Sequence, residues 1–170
     1  MSTLSLVTDA DATNDQAEAL ASVQQALGTI PNLTRAMVHS PALLRGYLGL
    51  AGALDRGTLP GSTRERLAIA IAQANGCSYC LSAHSYLGEK AAGLSADQIG
   101  SARKADADDP KTAAILAFAV AVNEHRGHID DADLENARRA GLTDAEIARH
   151  ARALTSTAAA LTATLAGRAP

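Results

Sequence analysis

Breaks in the hydrophobic pattern divide this 170-residue sequence into short amphipathic segments, and this division constrains the fold more than any other feature. Within the segments, apolar residues recur at the spacing of one helix face, and Gly, Pro or Asn-Gly ends them. Alanine, the strongest helix former, supplies 39 residues, whereas aromatic residues amount to only 2%. Valine and isoleucine, which favour strands, are scarce. The sequence therefore predicts an all-α fold.

The domain organisation is expected to be simple. Residues 1–14 are polar and unpatterned and are predicted to be a flexible lead, and residues 15–170 are predicted to form one helical domain. A first helix is expected over 15–27 and a brief one after Pro31. A stronger helix from Pro41 places Leu43, Tyr47, Leu50 and Leu54 on one face, with Leu44 and Leu48 beside it.

The second half of the chain is predicted to continue as helices. Ser62 is the expected N-cap of one helix, with Glu65 completing a capping box. The next is expected from about Cys77 to Ala92, and a short one near Ser95. Three further predictions are a helix from Pro110 with Ile115, Phe118 and Val122 facing inward, two helices after residue 128, and a helix–helix seam running from Ile147 to Leu165.

Charge and composition exclude several classes of function. A net charge of -3 provides neither a basic stripe for nucleic acid nor a polybasic membrane anchor. No uncharged apolar stretch reaches the roughly 18 residues needed to span a bilayer, and the first residues do not form a secretory signal. Two cysteines in such a chain do not suggest a structural disulfide framework. We therefore expect a cytoplasmic protein that carries a dithiol.

Both cysteines lie in the stretch ANGCSYCLSAH, which also contains a histidine. The Asn75-Gly76 break places Cys77 at a helix N-terminus, where free N–H groups and the helix dipole favour a thiolate. Cys80 lies three residues on, close enough for the two sulfurs to meet. His84 follows Cys80 by four residues and is therefore stacked over it, in a position to exchange a proton. This constellation predicts a redox-active dithiol.

Other interpretations of these residues remain open at this stage. A structural zinc site would need four ligands, and the sequence offers neither a second Cys-x-x-Cys nor a closely spaced pair of histidines. The cysteines could also be an inert buried pair. Glu65 could serve only as the capping-box residue of Ser62. If the helices on either side of Asn75 fold back on each other, its carboxylate could instead reach His84.

The stretch RERLAIAIAQANGCSYCLSAH resembles the signature of the AhpD-like alkylhydroperoxidase and carboxymuconolactone decarboxylase superfamily. That signature is a Glu, eleven residues, Cys-x-x-Cys, three residues and a His, and Glu65, Cys77, Cys80 and His84 match it position for position. PNLTRAMVHSPALLRGYL and AGLTDAEIARH are also similar to flanking segments of the family's peroxidase-related branch. The resemblance covers roughly residues 30–150.

The resemblance implies a single-domain AhpD-like helical fold and a thiol peroxidase with an antioxidant role. One cysteine, by the family's pattern Cys80, would attack a hydroperoxide, and Cys77 would close a redox disulfide with it. Glu65 and His84 would relay protons through a water, and no haem, flavin or metal would be needed. A dithiol or lipoyl-type protein would be the reductant. The apolar helix faces add the expectation of a homo-oligomer.

Two alternatives to a peroxidase are retained. The chain could be a redox-sensing or protein-disulfide-handling module without peroxidase turnover. Within the superfamily it could also perform lactone decarboxylation, although the enzymes that do so usually lack the paired cysteines. The intact Cys77-x-x-Cys80 pair therefore favours the peroxidase over the decarboxylase.

Overall fold

The computed structural model describes residues 4–148, and every regular element in that range is an α-helix. No helix among them is long and apolar enough to cross a bilayer. The all-α prediction is confirmed. The helices are α1 (Asn14–Leu27), α2 (Asn32–Met37), α3 (Pro41–Asp55), α4 (Gly61–Ala74), α5 (Ser78–Lys90), α6 (Ala96–Ala102), α7 (Pro110–Glu124), α8 (Asp131–Arg139) and α9 (Asp144–Ala148).

The described residues up to Arg56 belong to one compact unit, which contains α1, α2 and α3. Helix α1 begins with a capping box between Thr13 and Gln16 and ends at Gly28, whose φ of 71° is left-handed. Because only glycine adopts this conformation without strain, Gly28 ends the helix as the sequence predicts. The interior of this unit is formed mainly by aliphatic side chains, among them Val23, Met37, Val38 and Leu44.

The apolar face of α3 that carries Leu43 and Leu50 is partly exposed, and the neighbouring face is buried. Leu44 is completely buried, whereas Leu43 is 45% exposed and Leu50 is 40% exposed. Leucines occupy two adjacent faces of this helix, so the period of the pattern cannot decide between them. The face that carries Leu43 and Leu50 therefore leaves two large apolar side chains in contact with solvent.

The segment before α1 makes defined contacts with α2 and the residues after it. Val7 is buried, its backbone N–H donates to the Arg35 carbonyl, and the Arg35 guanidinium donates to the Val7 carbonyl at 3.0 Å. Arg35 also pairs with Asp9 at 2.8 Å, and His39 Nε2 donates to the Ser5 carbonyl. The start of α1 at Asn14 agrees with the expected boundary to within a residue. The flexibility of residues 1–14 and the assignment of 15–170 to one domain stay predictions.

The second compact unit begins at Gly57, and its described part contains α4 to α9. Helix α4 is its centre and packs against α5, α6 and α7. All residues from Arg66 to Ala72 are buried, which is expected of a helix that is covered on all sides. The alanines among them, at 68, 70 and 72, allow the neighbouring helices to approach closely. The largest core side chains around α4 include Leu59, Ile69, Ile71, Ile115, Leu116 and Phe118.

Several predicted helix ends in this unit are confirmed, and three details are corrected. Ser95 caps α6 and Pro110 lies in the first turn of α7, as expected. The N-cap of α4 is Pro60, so Ser62 already lies inside the helix and makes no capping box. Helix α5 ends at Lys90 rather than Ala92, and Val122 is only partly buried. Of the predicted seam, only Ile147 lies within the described residues, where it packs against the core.

Asp109 caps α7 and gives a stability prediction. A hydrogen bond from the Thr112 backbone N–H, assisted by the Thr112 side chain and the Arg66 charge, lowers the pKa of Asp109 below its usual value. A carboxyl whose pKa is depressed on folding stabilises the fold above its unfolded pKa of about 3.9, and the contribution is lost as the pH falls through the folded pKa. We expect Asp109→Ala to lower the free energy of unfolding by about 1 kcal/mol at pH 7.

Urea unfolding at pH 7 and in acid tests this prediction, with Asp109→Asn as the control because asparagine also caps helices. The alanine variant should be clearly less stable than the wild type at pH 7 and nearly equal to it below the folded pKa. Equal stability of wild type and Asp109→Ala at pH 7 would show that the cap contributes nothing.

Candidate active site

A short elbow between α4 and α5 carries the two cysteines. Asn75 is the C-cap of α4, and Gly76 follows with a φ of 62°. The left-handed conformation at Gly76 turns the chain, and the Cys77 backbone N–H donates back to the Ala72 carbonyl at 3.0 Å. The chain therefore leaves α4 and starts α5 within three residues, as the Asn-Gly pair predicts.

Cys77 and Cys80 form a disulfide at the first turn of α5, with their Cα atoms 5.4 Å apart. Cys77 is the N-cap, and its Sγ accepts a hydrogen bond from the Cys80 backbone N–H at 3.2 Å. Cys80 is 7% exposed, whereas Cys77 is half-buried. The structure therefore represents the oxidised dithiol, and Cys77 is the more exposed residue of the pair.

Glu65 and His84 face each other across the packed helices α4 and α5. The Glu65 Oε2 atom lies 2.9 Å from His84 Nδ1, and their side chains are 18% and 29% exposed. Glu65 therefore does not cap Ser62, and the interpretation of this residue as only a cap is wrong. The fold-back of α4 and α5, which the sequence allowed but could not show, brings the carboxylate to the histidine.

This contact determines which ring nitrogen can act as a base. A carboxylate at Nδ1 holds a proton there, so that in the neutral imidazole Nε2 is the basic nitrogen. No protein hydrogen bond to Nε2 occurs within residues 4–148. His84 lies one turn after Cys80 on the same helix. Glu65 and His84 therefore form a hydrogen-bonded acid–base pair one helical turn after Cys80.

One contact at the elbow was missed by the sequence analysis. The Asn123 side chain near the end of α7 donates to the Asn75 Oδ1 atom at 2.8 Å. Asn75 lies two residues before Cys77, so this bond ties α7 to the elbow. A pairing over 48 positions leaves no local signal, since neither asparagine stands out in its own segment.

In the part of the chain that the structure describes, the four predicted site residues belong neither to a metal cluster nor to the cavity beside α7. Within residues 4–148, no cluster of three or more His, Cys, Asp or Glu side chains is arranged to hold a metal ion. A cavity of about 160 Å³ lies between α7 and α8, and none of the four predicted site residues lines it. Its walls are Ala114, Ala117, Phe118, Ala121, Asp133, Asn136 and Ala137.

Comparison with known proteins shows which family the chain resembles. The sequence model of the Carboxymuconolactone decarboxylase family matches residues 41–119, a range that includes Glu65, both cysteines and His84. A peroxidase-related protein from Ralstonia eutropha JMP134, described as an alkylhydroperoxidase AhpD core, has a similar structure. It superposes with a TM-score of 0.82 at 26% identity, over 99% of this chain and 92% of that one. The chain has the AhpD-like fold, and its residues 41–119 are similar to the carboxymuconolactone decarboxylase family.

Two other solved structures have a similar fold, although their names indicate different activities. A peroxidase-related protein from Silicibacter sp. TM1040 has a TM-score of 0.76 at 21% identity, over 96% of this chain and 87% of its own. A cysteine-to-alanine variant of the debrominase Bmp8, in complex with 2,3,4-tribromopyrrole, has a TM-score of 0.71 at 22% identity, over 95% and 88%. Comparison with curated proteins gave no significant match. At these identities the two structures support the fold, and the chemistry has to be argued from the site.

Proposed function

We propose that this chain is a thiol peroxidase that reduces hydroperoxides with the Cys77–Cys80 pair. The observation that carries the proposal is the Glu65–His84 hydrogen bond of 2.9 Å beside a disulfide on the first turn of α5. A thiol needs a nearby base to become a nucleophilic thiolate. A second thiol is needed to convert the resulting sulfenic acid into a disulfide. His84 and the second cysteine are the residues that we propose for these two roles, and they match the superfamily signature.

The proposed reaction balances without any bound cofactor. His84 Nε2 takes the proton of the attacking thiol, and the thiolate sulfur forms a bond to the terminal peroxide oxygen. The O–O bond breaks, the alcohol leaves with the proton held by His84, and the cysteine becomes a sulfenic acid. The second thiol then displaces water and forms the disulfide. A dithiol or lipoyl-type protein in a reducing, cytoplasmic setting would regenerate the two thiols.

A single-turnover reaction tests this proposal. Reduced protein mixed with one equivalent of an organic hydroperoxide should yield one equivalent of the alcohol. The mass of the protein should fall by two hydrogens, and the peptide that contains Cys77 and Cys80 should carry the disulfide. Over-oxidation of both cysteines to sulfinic acid without a disulfide would contradict the proposal.

The structural similarity to the debrominase suggests a second substrate for the same experiment. 2,3,4-Tribromopyrrole, the compound bound to that protein, can replace the hydroperoxide in a parallel reaction. The proposed function predicts rapid oxidation of the dithiol by hydroperoxide and no comparable loss of bromide from the pyrrole. Faster oxidation of the dithiol by the pyrrole would assign a different reaction to the site.

We also propose that the chain forms a homo-oligomer through α3. Leu43 and Leu50 lie on one face of this helix and are 45% and 40% exposed. Exposed leucines at this spacing are typical of a surface that a neighbour covers. Light scattering should give a mass above the 17.4 kDa monomer, and Leu43→Glu with Leu50→Glu should reduce it. Leu27→Glu on α1, where the leucine is 55% exposed, is the control, and a monomeric wild type at micromolar concentration would exclude the oligomer.

A further inference from the structure

The cavity of about 160 Å³ between α7 and α8 has no part in the proposed reaction. Each of the two helices contributes one side of it, and most of its lining residues are alanines. Phe118, which is only 5% exposed, supplies an aromatic wall. Ala117 and Asn136 are exposed, so the cavity opens to solvent on their side. The two helices therefore enclose a small, mainly apolar space that a molecule from solution can enter.

The volume of the cavity limits the size of its occupant. A cavity of about 150 Å³ with hydrocarbon walls is large enough to bind benzene. The space between α7 and α8 has a similar volume, and the small side chains of the alanines at positions 114, 117, 121 and 137 leave it open. The apolar part of a ligand would therefore be about the size of one six-membered ring, and the Phe118 ring gives it a surface to pack against.

Asp133 gives the lining of the cavity a negative charge. It lies in the first turn of α8 and is only partly exposed. Its backbone N–H donates to Asp130 Oδ1 at 2.8 Å, but within residues 4–148 its carboxylate makes no hydrogen bond or ion pair. The other polar lining residue, Asn136, already accepts a hydrogen bond from the Arg139 guanidinium through its side-chain oxygen. Among the lining side chains, the Asp133 carboxylate is thus the acceptor left for a ligand, and its charge favours a cation.

We propose that the cavity between α7 and α8 binds a small organic ammonium ion, with its hydrocarbon part between the alanines and Phe118 and its ammonium group at the Asp133 carboxylate. An ammonium group carries only hydrogen-bond donors, which suits an unpaired carboxylate. An apolar lining with one charged group that fixes the orientation is the usual composition of a small-molecule site. Because Glu65, the two cysteines and His84 do not line the cavity, this inference goes beyond the proposed function and does not depend on it.

Benzylamine, which carries one ring and is positively charged at neutral pH, is a suitable probe. Nuclear magnetic resonance of the ¹⁵N-labelled, full-length, oxidised protein should show saturable shifts of the amide resonances of lining residues, Phe118 and Ala121 among them. Benzyl alcohol has the same ring without the charge. It should bind about fivefold more weakly, because it cannot form the partly exposed ion pair with Asp133. Methylamine has the charge without the ring and should give no saturable shift, since it buries almost no apolar surface.

Two pairs of variants test the charged and the apolar contact separately. Asp133→Asn should weaken the binding of benzylamine about fivefold and leave that of benzyl alcohol unchanged. Asp131→Asn is the matched control, since it removes a charge from the same helical turn at a residue that does not line the cavity. Ala117→Leu fills the space from its exposed edge and should abolish the binding of both compounds. Ala132→Leu, at an exposed alanine of α8 outside the lining, should not affect either.

Saturable benzylamine shifts that are lost in Ala117→Leu, and weakened in Asp133→Asn but not in Asp131→Asn, would support the site. Shifts that do not saturate, or that are confined to residues outside α7 and α8, would overturn it. Equal affinities of the wild type and Asp133→Asn for benzylamine would contradict an ammonium ion as the ligand. No hydroperoxide enters these experiments, so their result is independent of the peroxidase reaction.

Discussion

Cys80→Ser is expected to lower the peroxidase rate by about 10³-fold or more, because a serine hydroxyl cannot replace the attacking thiolate. Cys77→Ser should behave differently. It should still reduce one equivalent of hydroperoxide at a rate near that of the wild type and then stop, since its sulfenic acid has no second thiol to react with. The contrast assigns the attack to Cys80 and the closing of the disulfide to Cys77.

Two local effects compete in this assignment. The helix N-terminus favours Cys77, whose sulfur accepts the Cys80 backbone N–H at 3.2 Å, and a charge at this position gains about 0.3–1 kcal/mol from the dipole. His84 favours Cys80, which lies one turn before it. A positioned acid–base partner contributes about 10²- to 10⁴-fold, whereas the dipole contributes less than about tenfold. The greater exposure of Cys77 also suits the sulfur that an external reductant attacks.

A probe specific for sulfenic acid distinguishes the two assignments. After one equivalent of peroxide, Cys77→Ser should be labelled at Cys80, and Cys80→Ser should remain almost unlabelled. Both variants retain one thiol of the pair, so each serves as the control for the other. Labelling of Cys77 in Cys80→Ser, with none in Cys77→Ser, would show that the helix dipole decides the reaction.

Glu65→Gln is expected to lower the peroxidase rate by about 10²-fold or more while the melting temperature stays nearly unchanged. Glutamine has almost the same shape, but it lacks the negative charge that stabilises a proton on His84. Its amide can also donate to Nδ1, which would place the ring proton on Nε2 and remove the base from the cysteine side. Because Pro60 and not Ser62 caps α4, no capping box is lost in this variant.

The chain offers a matched control for this substitution. Glu89 lies on α5, is 57% exposed and pairs with its neighbour Lys90 rather than with His84. Glu89→Gln should therefore keep the wild-type rate and stability. A stable Glu65→Gln variant with full activity would mean that the Glu65–His84 hydrogen bond has no part in the reaction.

Local sequence signals predicted the parts of the fold that depend on one segment. The capping pair at Ser95, the proline at the start of α7 and the Asn75-Gly76 turn each act within a few residues, and the structure confirms all three. The fixed spacing of the family signature likewise predicted that Glu65 and His84 would lie in one site.

Features that depend on packing between segments were not predictable in the same way. Whether Leu44 or Leu43 is buried depends on which helices pack against α3. The capping-box pattern at Ser62 was satisfied in sequence, but the Glu65 side chain bonds to a histidine 19 positions away. The contact between Asn123 and Asn75 is visible only once α4 and α7 are together.

Steady-state consumption of a hydroperoxide with an excess of a dithiol donor tests the central claim most directly. The account predicts many equivalents of peroxide reduced per protein chain by the wild type and none above background by the protein that carries both Cys77→Ser and Cys80→Ser. Consumption of a single equivalent, followed by a stable disulfide that the donor does not turn over, would contradict a peroxidase and indicate a redox sensor. Equal rates for the wild type and the double variant would contradict any role of the two cysteines.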